Sequence, residues 1–556
     1  MSKPLLSSVD QWPDELDVLV IGSGCAGLTA ALVAAGEGAQ VGVVEKHKKL
    51  GGTTAAGGGV MWAPNNHLMG ARGFTDSPEA AAEYIRAATK GKLSAEEIAW
   101  YVDNAAAAVQ FLDEKTRVDY APLNRPDYHR EWPGSTQGGR GLDHRPFDPS
   151  VVPGLAEAVR PPTYLPLITM DERDHLHGAA PNPQLLESRA EQGVRTMGGA
   201  LISAMVASAW DAGIRIAVGT AASSLHRSQA GWEILLIDAS LHRTITAKHV
   251  VIASGGFEWS KELTSTLLKF PITPISAPSN TGDGLKLGIG VGAAFSETTD
   301  IWGVPVITAH GAHYDGQQSG RMGNVEATLP GSIVVNKQGK RFVNEALNYH
   351  DFSRVFANID PETSEFANIP AFLVMDSTFT ARYPVAGHPT FSSAADAPSW
   401  MVQAETLDDL ANKLGVEPAG LCSTVLQFNA DAREGIDSEF GRGATEQDRH
   451  LGDPVNIPNP CLAPLETGPF YAVELKPGAL GTAGGLHTNL NGEVLGWDGL
   501  PLGGLYAAGN CSATVFKDAY PGGGATIGSA ITRAYAAGKH IGASIDTALN
   551  KAFEFN

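Results

Sequence analysis

The chain is short of cysteine, of positive charge and of long apolar runs, and each shortage closes off a class. Four cysteines in 556 residues (Cys25, Cys422, Cys461, Cys511) stand far apart, with no CxxC or other metal-ligand spacing. That predicts free thiols, a reducing compartment and no metal site. Lys plus Arg number 40 against 60 Asp plus Glu, a formal net charge of −20. Such a balance repels phosphate backbones and anionic lipid, so no nucleic-acid partner is predicted. No run of about 18 apolar residues occurs, so no transmembrane segment is predicted. The opening Met-Ser-Lys-Pro-Leu-Leu-Ser-Ser-Val-Asp lacks the apolar core of a signal peptide. The expectation is a cytoplasmic protein, with peripheral membrane contact through an apolar patch left open.

Glycine, by contrast, is abundant: 64 residues, clustered in turn-like runs rather than periodic tracts. The first cluster organises the chain. Asp17-Val-Leu-Val-Ile-Gly22-Ser23-Gly24-Cys25-Ala26-Gly27 reads as a buried strand over 18–21, a glycine turn and the start of an Ala/Leu-rich helix. The spacing Gly22-x-Gly24-x-x-Gly27 is the dinucleotide fingerprint, with Gly22 for the turn, Gly24 for close approach of a pyrophosphate and Gly27 for helix–strand packing. Phosphates would sit on the helix N-terminus, where unpaired N–H groups and the helix dipole favour negative charge. A second strand, Gln40-Val-Gly-Val-Val44, ends in Glu45 and Lys46, and Glu45 stands where an acid should accept from a ribose hydroxyl.

The next cluster, Leu50-Gly-Gly52-Thr53-Thr54-Ala-Ala-Gly-Gly58-Gly59, suits backbone pressed against a flat ligand. It is read as a loop passing over a flavin. It holds no histidine, so the flavin is expected to be noncovalent, with His47 at the surface. Residues 77–113 read as helices, and 119–148 as an ordered loop wall of aromatics among prolines. Residues 151–192 show little periodicity and are either a lid or a surface insertion. A helix over 194–210 and short strands lead into His249-Val-Val-Ile-Ala-Ser-Gly255-Gly, a buried strand returning towards the flavin. Thr281-Gly-Asp283-Gly opens another helix. From about 299 the βαβ rhythm stops until about 475. The chain then closes with Leu505-Tyr-Ala-Ala-Gly509-Asn510 and with Tyr520-Pro-Gly-Gly-Gly524-Ala525-Thr-Ile527, a turn whose helix start would face the electron-rich edge of the flavin. The predicted fold is α/β: a Rossmann-type FAD-binding domain from 1–298 and 475–556, with an inserted α+β catalytic, capping domain from 299–474.

These motifs, together with Gly339-Lys-Arg-Phe-Val-Asn-Glu345 and Gly484-Gly-Leu, resemble the fumarate-reductase-like flavoproteins. Within them the chain is most similar to the 3-ketosteroid 1,2-dehydrogenases. The resemblance covers most of the chain and implies FAD, a cyclic ketone substrate, an external electron acceptor such as a quinone, and a set of tyrosines. Tyr349, after Asn344-Glu-Ala-Leu-Asn, would be the base that takes the α proton. Tyr520 and the Gly524 N–H would bind the ketone oxygen, and Tyr128 in Pro-Asp-Tyr-His would hydrogen-bond the base, with Tyr120 the fallback.

The chemistry is coherent on its own terms. Proton loss next to a ketone puts charge on its oxygen, where one donor is typically worth about 3–4 kcal/mol. An unperturbed phenol has a pKa of about 10, so Tyr349 needs donors or positive potential, and Tyr128 and His350 are candidates to supply them. Three alternatives stay open: the same desaturation on a small ring ketone such as cyclohexanone, an ene-reductase of the fumarate-reductase kind using Arg321, Arg341 or Arg354, and flavin binding without turnover. The His388-Pro-Thr390 segment matches the fumarate-reductase pattern in letters, although Ala-Gly precedes it, and keeps that alternative open.

Overall fold

The computed structural model describes residues 3–554 except 240 and 310, with side chains described as far as residue 545. Its centre is an eight-stranded sheet in the order Glu493–Leu495, Pro501–Ala507, His242–Ile252, Glu15–Ile21, Val41–Glu45, Arg215–Val218. The hairpin Ala221–Ser228 and Gly231–Ile237 is added alongside His242–Ile252. The four central pairings are parallel, as expected of strands covered on both faces. Glu15–Ile21 shows why its apolar run is almost unbroken. Val18 and Val20 point into one core with the helices, whereas Leu16, Leu19 and Ile21 point into the other.

The helix Cys25–Gly36 follows the first strand and packs against Ala525–Glu554. Small residues set that approach: a Cβ on Gly538 would lie 2.6 Å from Val33 Cβ. A Cβ on Gly27 would lie 2.0 Å from the Gly22 carbonyl oxygen, the close packing its place in the fingerprint calls for. The helices foreseen over 77–113 and 194–210 are Pro78–Ala88 with Ala95–Lys115, and Met197–Asp211. The 119–148 wall carries the strands Tyr120–Pro122 and Gly141–His144, which form a small sheet with Met61–Trp62.

A second, seven-stranded sheet is built on Phe470–Thr482, which pairs with Ile301–Ile307 and Ala371–Asp376. Thr273–Pro274 also joins it, in parallel. This sheet therefore draws on residues before 299, and its long strand runs through 475, so both boundaries drawn from composition fall short of the sheet's own limits. Periodicity breaks where a strand's neighbours change, and Phe470–Thr482 begins inside the segment read as irregular.

All four cysteines are free thiols. Among the described residues no helix is long and apolar enough to cross a membrane.

Candidate active site

A cavity draws its wall from both sheets and from the segments that connect them. Its first end is lined by backbone. Gly22, Ser23, Gly24, Cys25 and Ala26 form the turn and helix start, and Gly24 N–H donates to no protein acceptor among the described residues. A Cβ on Gly22, whose φ is +110°, would strike Ala253 O at 2.3 Å, so only glycine makes this turn. A Cβ on Gly24 meets nothing nearer than 3.8 Å, so the space there is kept for a ligand.

Glu45 accepts from Ser23 Oγ at 2.7 Å, Ser23 N at 3.2 Å and His47 N at 2.9 Å. A carboxylate has about four lone-pair sites, so one remains for a ribose hydroxyl. Lys46, also on the wall, bonds Asp283 at 2.5 Å and Thr281 Oγ1 at 2.8 Å. Gly52, Thr53, Thr54, Gly58 and Gly59 continue the lining. Thr54 Oγ1 accepts from Cys25 N at 3.3 Å, and Thr53 Oγ1 accepts from Ala277 N at 3.1 Å and Asn280 Nδ2 at 2.9 Å. Gly255, Gly509, Asn510 and Ile527 complete it.

Two residues foreseen as ligand contacts do not line the cavity. Gly27 is turned to the strand beneath it. Ala525 is fully buried with its N–H bonded to Gly522 O, and Thr526 and Ile527 face the cavity in its place. His47 is turned to Asp315, 3.7 Å away, and no histidine among the described residues lines the cavity.

The other end is built from side chains. Tyr349 and Tyr520 line the cavity with their hydroxyls hydrogen-bonded at 3.0 Å, and Tyr520 also meets Thr526 Oγ1 at 3.1 Å. Gly524 lines it too, and its N–H meets no protein acceptor among the described residues. Tyr128 stands behind this pair rather than on the wall: its ring is edge-on to Tyr349 at 5.6 Å and stacked on Tyr520 at 5.8 Å between centroids. Its hydroxyl interacts with that of Tyr349. Tyr120 does not line the cavity and packs on His144.

The frame that holds these rings is polar and buried. Asp127 takes Trp62 Nε1 at 2.9 Å, Thr136 N at 2.9 Å and Arg140 Nη1 at 2.7 Å, and Tyr128 N reaches Pro521 O at 3.3 Å. His129 bonds Asp351, two residues after Tyr349, at 2.8 Å, which ties the Tyr128 loop to the Tyr349–Arg354 helix. The Lys-Arg-Phe-Val-Asn-Glu motif is a buttress. Arg341, almost fully buried, spans Glu345 at 2.6 Å and Asp437 at 2.8 Å.

Burial pushes the Tyr349, Tyr520 and Tyr128 hydroxyls well above the usual phenol range. The cation that opposes this at Tyr349 is Arg125, three residues before Tyr128, which lines the cavity and pairs with Asp174 at 2.5 Å. Sequence reasoning missed Arg125, although the loop itself was singled out. His350 is not a source of positive potential. Its Nδ1 accepts from Gly303 N at 3.4 Å, its Nε2 faces Asp518 O at 3.2 Å, and burial lowers its pKa, so it is a neutral ring stacked on Tyr520. Residues 151–192, left undecided between lid and insertion, supply wall: Thr163, Tyr164, Leu165, Met170 and Arg173. Tyr164 Oη accepts from Met322 N at 3.1 Å, which fixes that wall to the second sheet.

The arginines of the ene-reductase alternative are dispersed. Arg341 is in its buttress, Arg354 pairs with Asp518 at 3.1 Å, and Arg321 lies over the Tyr164 ring. His388 is half-buried and does not line the cavity.

Comparison with known proteins agrees with this cavity. Residues 17–527 match the family model described as FAD binding domain. The chain is 38% identical over 535 residues to 4-oxocyclohexanecarboxylate 2-dehydrogenase of Sinomonas cyclohexanicum, covering 94% of this chain and 92% of that one. It is 36% identical to 3-oxosteroid 1-dehydrogenase of Mycobacterium tuberculosis, covering 95% and 98%. The crystal structure of 3-ketosteroid delta1-dehydrogenase from Sterolibacterium denitrificans, in complex with 1,4-androstadiene-3,17-dione, superposes with a TM-score of 0.89 at 31% identity, over 96% of this chain and 100% of that one. The chain belongs to the FAD binding domain family and is an FAD-dependent oxidoreductase. The free Gly24 N–H of the fingerprint turn, the spare acceptor on Glu45 and the space kept at Gly24 fit that cofactor.

Proposed function

We propose that this enzyme dehydrogenates a cyclic ketone to its α,β-unsaturated ketone. The observation that carries the reading is the meeting of Tyr349, Tyr520 and a free Gly524 N–H on one wall, in a cavity whose other end fits FAD. Tyr520 Oη and Gly524 N–H receive the ketone oxygen and stabilise the charge that grows there as the α proton leaves. Tyr349 takes that proton from carbon. Tyr128 orients Tyr349, and Arg125 favours its phenolate against the desolvation that opposes it. Bound noncovalently, FAD supplies the acceptor for the hydride released from the β carbon. The substrate thereby loses one proton and one hydride and gains a carbon–carbon double bond, and an external acceptor such as a quinone would take up the two electrons.

The cyclic ketone is either a steroid or a small ring; the names of the relatives include both kinds. The test is anaerobic. A saturated ring ketone should bleach the flavin band of the holoenzyme and yield a product two mass units lighter. An unbleached flavin with ring ketones of both sizes would overturn the reading.

A further inference from the structure

The short helix Met170–Asp174 on the cavity wall has four charged side chains, and three of them are matched. Asp171 pairs with Arg72 at 3.0 Å, Glu172 with Arg189 at 2.7 Å, and Asp174 with Arg125 at 2.5 Å. Arg173 is the fourth. It lines the cavity, and among the described residues its side chain hydrogen-bonds only to Met170, Nη1 to Sδ at 3.7 Å. Among the described residues no carboxylate lies within 4 Å of its guanidinium, whereas the other two cations of the wall, Lys46 and Arg125, each hold an aspartate. Just outside the wall, Arg321 sits over the Tyr164 ring at 5.0 Å, also without a carboxylate within 4 Å among the described residues.

The acid that feels both arginines is Glu326, whose carboxyl is buried and accepts from Ala386 N at 3.0 Å. Burial pushes that carboxyl towards its neutral form. Two guanidinium groups therefore face at most one acid, and the excess positive charge is presented to the cavity by Arg173. A half-buried guanidinium with unused donors in an apolar-walled pocket is matched to a carboxylate, which accepts its N–H groups in pairs. Leu165, Met170, Met322 and Ile275, also on the cavity wall, would bury a hydrocarbon ring but offer an anion nothing.

We propose that the substrate is a ring ketone carrying a carboxylate, with the ketone at Tyr520 and Gly524 and the carboxylate on Arg173. The inference rests on the ring-ketone reading above and narrows it, against a neutral steroid. It makes Arg173 a residue that determines which ring is accepted, separate from the tyrosines that act on the ketone.

The experiment compares 4-oxocyclohexanecarboxylate, its methyl ester and a 4-ene-3-ketosteroid with the wild-type holoenzyme and with the Arg173→Gln and Arg173→Lys variants. A charge-assisted pair of hydrogen bonds should give the keto acid a kcat/KM about 10- to 100-fold above its ester. Arg173→Gln should abolish that preference by weakening the acid alone, leaving the ester within about twofold, and Arg173→Lys should keep most of it. A second readout needs no turnover. Cyclohexanecarboxylate has no ketone to activate, yet it should perturb the flavin spectrum saturably in the wild type and not in Arg173→Gln.

Equal turnover of acid and ester, a preference that survives Arg173→Gln, or a steroid turned over better than the keto acid would overturn the inference while leaving ketone dehydrogenation standing. If no ketone bleaches the flavin, the catalytic reading fails, and the cyclohexanecarboxylate titration still decides the role of Arg173.

Discussion

At the nucleotide end of the cavity much of the wall is backbone: the Gly24 N–H and a turn that only glycine can make at Gly22, with the Glu45 and Lys46 side chains beside them. At the ketone end the groups that face the ligand are the hydroxyls of Tyr349 and Tyr520, delivered from segments 171 residues apart and held by a third segment through Tyr128. The first end is organised by a local device, the turn and loop between Gly22 and Gly59, to which Gly255, Gly509 and Asn510 are added. The second exists only when the second sheet and the C-terminal turn come together. Damage to the two ends should therefore read differently: at the first the protein loses colour, and at the second it stays yellow and stops.

The strongest test of that contrast is Tyr349→Phe. Loss of a positioned base should lower kcat about 10²–10⁴-fold with an unchanged flavin-to-protein ratio, measured from steady-state rates and the visible spectrum. A kcat within a few-fold of wild type would remove Tyr349 from the chemistry. Tyr520→Phe removes one of two donors to the ketone oxygen and should cost about 10²–10³-fold, again without loss of colour.

At the other end, Gly24→Ala and Gly27→Ala separate ligand space from packing. The Gly27 variant drives a Cβ into the Gly22 carbonyl and should destabilise the apoprotein by about 1–3 kcal/mol in urea melts. The Gly24 variant meets open space in the protein and should melt within about 0.5 kcal/mol of wild type. It should nevertheless bind FAD more weakly by fluorescence titration. Equal melting of the two variants would mean that Gly24 is also structural.

The smallest effect is in pH. Tyr349 acts as a base only after losing its proton, and burial raises its pKa, so kcat/KM should climb through the neutral range and on towards alkaline pH. Arg125 works against that rise. Arg125→Met should move the limb to higher pH, lowering the rate most at neutral pH.

The same contrast explains what was legible beforehand. The fingerprint, Glu45, the Gly52 to Gly59 loop and the parallel sheet were readable because each is a local pattern with one structural solution. The Tyr349 and Tyr520 pair was legible only through resemblance, since nothing in spacing relates residues 171 apart. Arg125 escaped because its role depends on folding back beside Tyr349, and Arg173 because its meaning lies in the partners it lacks. Ala525 was misplaced by one helical position: the N–H that looked free at the helix start is taken by Gly522 O. The second sheet outran its composition boundaries because Phe470–Thr482 and Thr273–Pro274 belong to it by pairing alone.

The most direct measurement mixes oxygen-free holoenzyme with 4-oxocyclohexanecarboxylate and, separately, with a 4-ene-3-ketosteroid, using both the wild type and Tyr349→Phe. The account predicts that the keto acid bleaches the wild-type flavin within the dead time of hand mixing and gives a product two mass units lighter, while Tyr349→Phe stays yellow. A wild-type flavin unbleached by either ketone, or a Tyr349→Phe protein that bleaches as fast as wild type, would contradict it.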